Sequence, residues 1–325
     1  MAADFEPTTT PPQSAEFAFF PAEHWERFCE TALVQARMAG LDVHFGGPGR
    51  LDSSDGIVYS LLPLAKRLAD RDIATWDEAL EAHFEEMADS LNEPVGPQHL
   101  RVRLMAAGSM PPEALDTPFW TEFAPGIWAC LVVELPTLIR TVTPDDLEHL
   151  DAHADPTELW QRAWENVREA DIIERHDVSM VGKAELHAFA GSSFFVASKV
   201  SDLAAVLAHH LDTDAALAAP HGILVAIPRR HTFAAHVIRD LGVVDAINAM
   251  LPFALRLASD GPGPISPNLL WWRDGTWTAL SSRATDEGLE FSPPVDFVEM
   301  LSALGAATTD APTTDAPATE EGSSA

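Results

Sequence analysis

Residues 223–238 read ILVAIPRRHTFAAHVI, and this stretch decides the fold class. Ile223 to Ile227 is the most β-like run in the chain, and Pro228 stops it because proline has no N–H to give a ladder. Thr232 to Ile238 reads as its antiparallel neighbour, although Ala234 and Ala235 leave a helix open there. Further on, Asn268 to Trp272 and Thr276 to Leu280 flank Asp274-Gly275, the dipeptide of a type I′ hairpin. Helical spacing frames these strands. Val243 to Ala258 is apolar with helical periodicity, and Asp155-Pro156-Thr157-Glu158 opens a helix to about Glu169 with Leu159, Trp160, Ala163, Trp164 and Val167 inward. Ser201 or Asp202 caps another, ending near Leu211.

The same alternation runs through the first half. Pro21 to Met38 places Phe20, Trp25, Phe28, Cys29, Leu33 and Ala36 near 3.6 spacing, and Trp76, Leu80, Phe84 and Met87 do so within 72–91. Leu41–Phe45, Gly56–Leu62, Leu100–Met105 and Gly126–Leu135 read as strands, and 106–125 as a long loop. Glu185–Phe189 and Phe194–Ser198 read as a hairpin turned by Ala190-Gly191-Ser192-Ser193. The expectation is an α+β fold, with helices packed on short antiparallel sheets and an order of helix then strand pair that recurs. It divides into an N-terminal module over 16–140 and a C-terminal module over 141–302. Residues 1–15 and 303–325 are rich in Thr, Pro, Ala and acid and carry no Lys or Arg, so disordered ends are expected.

Three features of this pattern resemble a known family. They are ELWQRAWENV at 158–167, ILVAIPRRH at 223–231, and PISPNLLWWRDGTW at 264–277. GIVYSLLPLAKRL at 56–68 and LRVRL at 100–104 match more loosely. As a set they resemble the YtpQ-like family of bacterial proteins, a domain of unknown function, over roughly residues 22–280. The resemblance implies a cytoplasmic α+β protein and brings no reaction and no catalytic residues. The chain departs from the family pattern after the strand-ending proline. Relatives tend to carry a polar pair with an acidic residue there, and this chain has Arg229-Arg230-His231.

Charge narrows the function classes. The 325 residues carry 20 basic and 50 acidic side chains, a net charge of −30, and the acidic ends leave −24 on 16–302. Such a surface repels phosphate backbones and anionic lipid, so neither nucleic-acid nor membrane binding is expected. No apolar run reaches the ~18 residues of a membrane span. Two cysteines, Cys29 and Cys130, make no disulfide framework, both read as buried, and a reducing cytoplasm is the expected location. Nucleophile elbows, P-loops and dinucleotide fingerprints are absent, so no cofactor and no catalytic residues are assigned.

Candidate ligand or partner residues lie around the best strand and the last hairpin. Arg229, Arg230 and His231, with His221 at the strand's other end, stand out in so acidic a chain, since arginine grips carboxylate and phosphate bidentately. Pairing with acids of the same fold is the reading favoured for Arg229 and Arg230, as it is for Arg101 and Arg103, and a ligand site is the alternative. Trp271 and Trp272 must face opposite sides of their strand, so one is a candidate partner contact. His149 and His153 sit i, i+4 on a helix, but the pattern names no third ligand, and no metal site is assigned. The leading expectation is a non-enzymatic protein-interaction, chaperone-like or regulatory module with a basic or amphipathic protein partner. The alternative is a hydrolase or anion-binding enzyme built on the Arg229/Arg230/His231 turn.

Overall fold

The structure is a computed structural model that describes residues 10–14, 17–53, 58–91, 95–109, 117–135, 138–143, 146–150, 155–211, 219–259, 263–285 and 288–309. It is α+β, with helices packed on antiparallel sheets. Contacts group the chain into two compact units, one drawn from residues 1–99 and 132–154 and the other from 100–131 and 155–325.

The first unit opens with α1 (Ala22–Met38), followed by β1 (Val43–Gly47), β2 (Arg50–Ser53) and β3 (Val58–Ser60), which form a three-stranded antiparallel sheet. α2 (Leu62–Leu68) and α3 (Trp76–Leu91) follow, and Asp72 accepts a hydrogen bond from Ala74 N before α3 begins. The core is the one the periodicity predicts. Trp25, Phe28, Cys29, Ala32, Leu33 and Ala36 of α1 and Trp76, Leu80, Phe84 and Met87 of α3 are all buried. Phe20 joins the two helices, with its ring 4.9 Å from Phe28 and 5.3 Å from Trp76.

The chain then enters the second unit as β4 (Leu100–Ala106) and β5 (Trp120–Ala124), the latter inside the stretch expected to be loop. β6 (Ile127–Glu134) lies between β4 and β5 in its sheet, begins in the second unit and ends in the first. There β7 (Ile139–Thr141) pairs with Val132–Glu134, and α4 (Asp146–His149) completes the first unit. Asp146 takes both Arg140 guanidinium nitrogens at 2.6 Å and also accepts from Thr143 N and Oγ1.

The second unit continues with α5 (Pro156–Glu169), β8 (Arg175–Val181), β9 (Ala184–Ala190) and α6 (Leu203–Leu211). β10 (Ile223–Arg229), β11 (Thr232–Val237), α7 (Gly242–Ser259), β12 (Leu269–Arg273), β13 (Thr276–Thr285), β14 (Gly288–Ser292) and α8 (Val295–Thr309) complete it. Seven strands join in the order β14-β13-β12-β10-β11-β9-β8, with β10 and β11 central, as their burial at every position to Ala226 and beyond requires. α7 packs on one face through Val243, Ala246, Ile247, Met250, Leu251 and Ala254, against Leu224, Ala226, Ala234, Leu269 and Trp271, and α8 adds Phe297, Met300 and Leu304. α7 is also long and apolar enough to cross a bilayer by length and composition, although the sequence reading found no such run; its apolar face is spent on this sheet.

Two expectations are corrected. Phe194–Ser198 is not a strand: β9 pairs with β8 through a turn at Gly182-Lys183, and 197–202 is a 3₁₀ stretch leading into α6. Local bonds hold this stretch coiled: Phe195 N donates to Ser193 Oγ, Ser198 N to Phe195 O and Lys199 N to Val196 O. The order of helix then strand pair nevertheless persists here, because β8 and β9 supply the pair between α5 and α6. Residues 303–309, placed in the tail by composition, continue α8. The low-complexity ends at 1–9 and 310–325 lie outside the described residues.

Candidate anion-binding site

The β10–β11 connection builds the site. The register shifts between Ala226 and Arg229, so Arg229 faces Thr232 and the chain turns through Arg230-His231. Backbone bonds fix this turn from two sides. Arg230 N donates to Gly263 O and Ile265 N to Pro228 O, while Ala197 N donates to Arg230 O and Gly191 N to His231 O. Gly263 sits at φ +68, and a Cβ there would lie 2.6 Å from Arg230 Cδ, so this glycine lets the chain pass close to the arginine stem.

The side chains converge on Phe194, which is 36% exposed. The Arg230 guanidinium carbon lies 3.9 Å from the Phe194 ring centroid, and that of Arg103, on β4, lies 5.9 Å from the same centroid. His231 packs against the ring as well, at 5.3 Å. Arg230 Nε donates to His231 Nε2 at 2.9 Å, so that nitrogen is an acceptor and the ring proton sits on Nδ1, which donates to Ser193 O at 3.0 Å. Arg103 Nε is buried with no hydrogen-bond partner. Among the described residues, neither Arg103, Arg229 nor Arg230 makes an ion pair with a carboxylate.

The electrostatics follow from that geometry. Burial lowers the Arg230 pKa, and the neighbouring Arg103 charge lowers it further, to about 10. Burial likewise pushes Arg103 down. His231 is lowered by burial and then by Arg230, against the Ser193 carbonyl, and is therefore neutral at neutral pH. An anion placed among these groups would relieve both arginines.

The predicted residues divide. Arg230 and His231 belong to the site. Arg229 lies at its edge, its Nε 3.4 Å from Thr232 Oγ1. His221 does not join them: it precedes the seven-residue β10, roughly 20 Å of strand from the turn. Its carbonyl instead accepts from Trp271 Nε1 at 2.8 Å. Trp271 is buried against Phe297 on the α7 face. Trp272 is half-buried on the other face, where a run of rings passes from Trp272 to Trp277, Phe123 and Trp164. Arg103 and Phe194 were missed, Arg103 being read as an internally paired strand residue and Phe194 as a strand residue. The one signal for Arg103 in the sequence is the rarity of basic side chains, and Phe194 has none.

The other nucleophilic and ligating candidates lie elsewhere. Cys29 and Cys130 are buried and not joined in a disulfide, and burial pushes the Cys29 thiol up to about 12. The side chains of His149 and His153 lie outside the described residues. Among the described residues, no group of three or more His, Cys, Asp or Glu is arranged to hold a metal. No family model matches the chain, and no curated protein or solved structure matches it either. The resemblance to the YtpQ-like proteins therefore rests on the motifs that carry it.

Proposed function

We propose that the chain is a cytoplasmic, non-enzymatic binding module of the chaperone-like or regulatory kind, holding an anionic ligand at Arg103, Arg230, Phe194 and His231. One observation carries this reading. In a protein of net charge −30, two half-buried guanidiniums share one aromatic ring and have no carboxylate partner among the described residues. Charges drawn partly out of water are ordinarily paired, so an unpaired pair of like sign points to a partner that comes from outside. Binding is favoured over the hydrolase alternative because both His231 ring nitrogens are engaged. A general base needs a free lone pair within reach of the substrate proton.

Titration calorimetry at pH 8 and low salt with phosphate, sulfate, acetate and benzoate tests this. At least one anion should bind, with affinity reduced tenfold or more in Arg230→Met and in Arg103→Met. Absence of heat with every anion, or unchanged affinity in both folded variants, would refute it.

A second reading concerns the protein partner. β8 is an edge strand of the seven-stranded sheet, and its Val178, Met180 and Val181 are 52%, 66% and 38% exposed. An exposed edge with apolar side chains is a template for strand addition, and the chain's net charge of −30 favours a basic or amphipathic segment.

A further inference from the structure

We infer that the ligand of the Arg103–Arg230 site is the phosphate group of a small phosphate monoester, recognised as a dianion. The inference rests on the anion-binding reading above and adds the class of ligand. Charge comes first. Arg103 and Arg230 both lie within 6 Å of the Phe194 ring centroid, so the guanidinium carbons are no farther apart than the two distances together. A monoanion between them leaves one positive charge uncompensated in a partly desolvated site, and a dianion compensates both.

The donor set gives the same answer. Arg230 Nε is committed to His231, which leaves its two terminal nitrogens, while Arg103 Nε is buried with nothing to donate to. The donors thus come from two guanidiniums on separate elements, β4 and the β10–β11 turn. A planar carboxylate has two oxygens and is saturated by one fork. The three terminal oxygens of a phosphate monoester satisfy two forks at once. The turn that carries Arg230 is clamped by backbone bonds to 263–265 and to 191–197, so the site is built before the ligand arrives. The exposed flank of Phe194 gives the organic part of the ester an apolar surface.

The scale of the ligand follows from the rest of the protein. A body carrying −24 between residues 16 and 302 repels polyanions, so a free monoester is favoured over a phosphate on a nucleic acid or an acidic phosphopeptide.

The experiment uses the full chain at pH 8, where a phosphate monoester is doubly charged. Phenyl phosphate is titrated against its monoanionic counterpart, methyl phenyl phosphate, against benzoate, and against a neutral-sequence peptide carrying one phosphoserine. The expected result is phenyl phosphate bound at least tenfold more tightly than the diester or benzoate, no more weakly than the peptide, and lost on Arg103→Met. Benzoate or the diester binding as well as phenyl phosphate would overturn the dianion assignment and leave anion binding standing. Tighter binding of the peptide would overturn the assignment to a free small molecule. No binding of any probe would remove both readings together. Arg103→Lys keeps the charge without the fork. It should retain partial binding, which separates a lost ligand contact from a misfolded variant.

Discussion

Asp146 shows how one side chain can hold a turn. It is 4% exposed, and burial alone would raise its carboxyl pKa. The bonds from Arg140 and Thr143 outweigh burial and hold it below the usual carboxylate range. Asp146→Ala takes the carboxylate away from the half-buried Arg140 guanidinium, and breaking a largely buried ion pair of this kind costs up to about 3–5 kcal/mol. Asp146→Asn keeps part of the hydrogen bonding and should cost less. Urea denaturation of both variants checks this, and equal midpoints in Asp146→Ala and wild type would refute it. Arg230 and His231 stand out in the sequence because they interrupt a strand pair, whereas Arg103 lies on β4, far away in the chain. Nothing local says that a strand arginine will meet a turn arginine. That juxtaposition is made by tertiary packing, as is the placing of Phe194 in a coiled stretch where its apolar neighbours mimic a strand.

Among the elements, β10 to β13 could be read because their signals are backbone requirements. Pro228 ends a strand, and Asp274-Gly275 demands positive φ at both turn positions, met here at +49 and +78. β8 could not be read: all but one of its residues are exposed, so it shows no alternation, and β5 was concealed among the prolines of the expected loop. Two glycines separate conformational from steric demands. At Gly275 a Cβ meets nothing within 4 Å, so Gly275→Ala carries only the left-handed backbone penalty of about 1–2 kcal/mol. At Gly222, with φ +83, a Cβ would lie 2.5 Å from Trp272 O and 2.6 Å from Trp271 Nε1, the donor to His221 O. Gly222→Ala adds an overpacking cost of about 1–3 kcal/mol to the same penalty. Thermal unfolding should therefore place Gly222→Ala clearly below Gly275→Ala, and the reverse order would refute the assignment.

For the whole molecule, the histidines set a pH window. Burial is the first cause of a lowered pKa at His83, His176, His187, His210, His231 and His236, and it takes His83 to about 4. The unfolded chain takes up protons at these residues near pH 6.5, and the folded chain does so only lower down. Their contribution is thus complete above about pH 6.5 and is lost as pH falls below it, for His83 down to about 4. Asp146 adds a second loss below about pH 4, because its folded pKa is depressed. After allowance for partial exposure, His83 alone should cost about 1–2 kcal/mol between pH 7 and pH 5. Denaturant midpoints across that range measure it, and a flat profile would contradict the burial of these rings.

The division of β6 has a consequence for the order in which the chain is made. The first unit takes residues 132–154 as well as 1–99, with a segment of the second unit synthesised in between. At about 5–20 residues per second, a ribosome needs roughly 3–10 s to travel from residue 99 to residue 154. For that interval the nascent first unit lacks β7 and the Arg140–Asp146 clasp. Its packing can reach completion only after translation has moved well into its neighbour's share of the message.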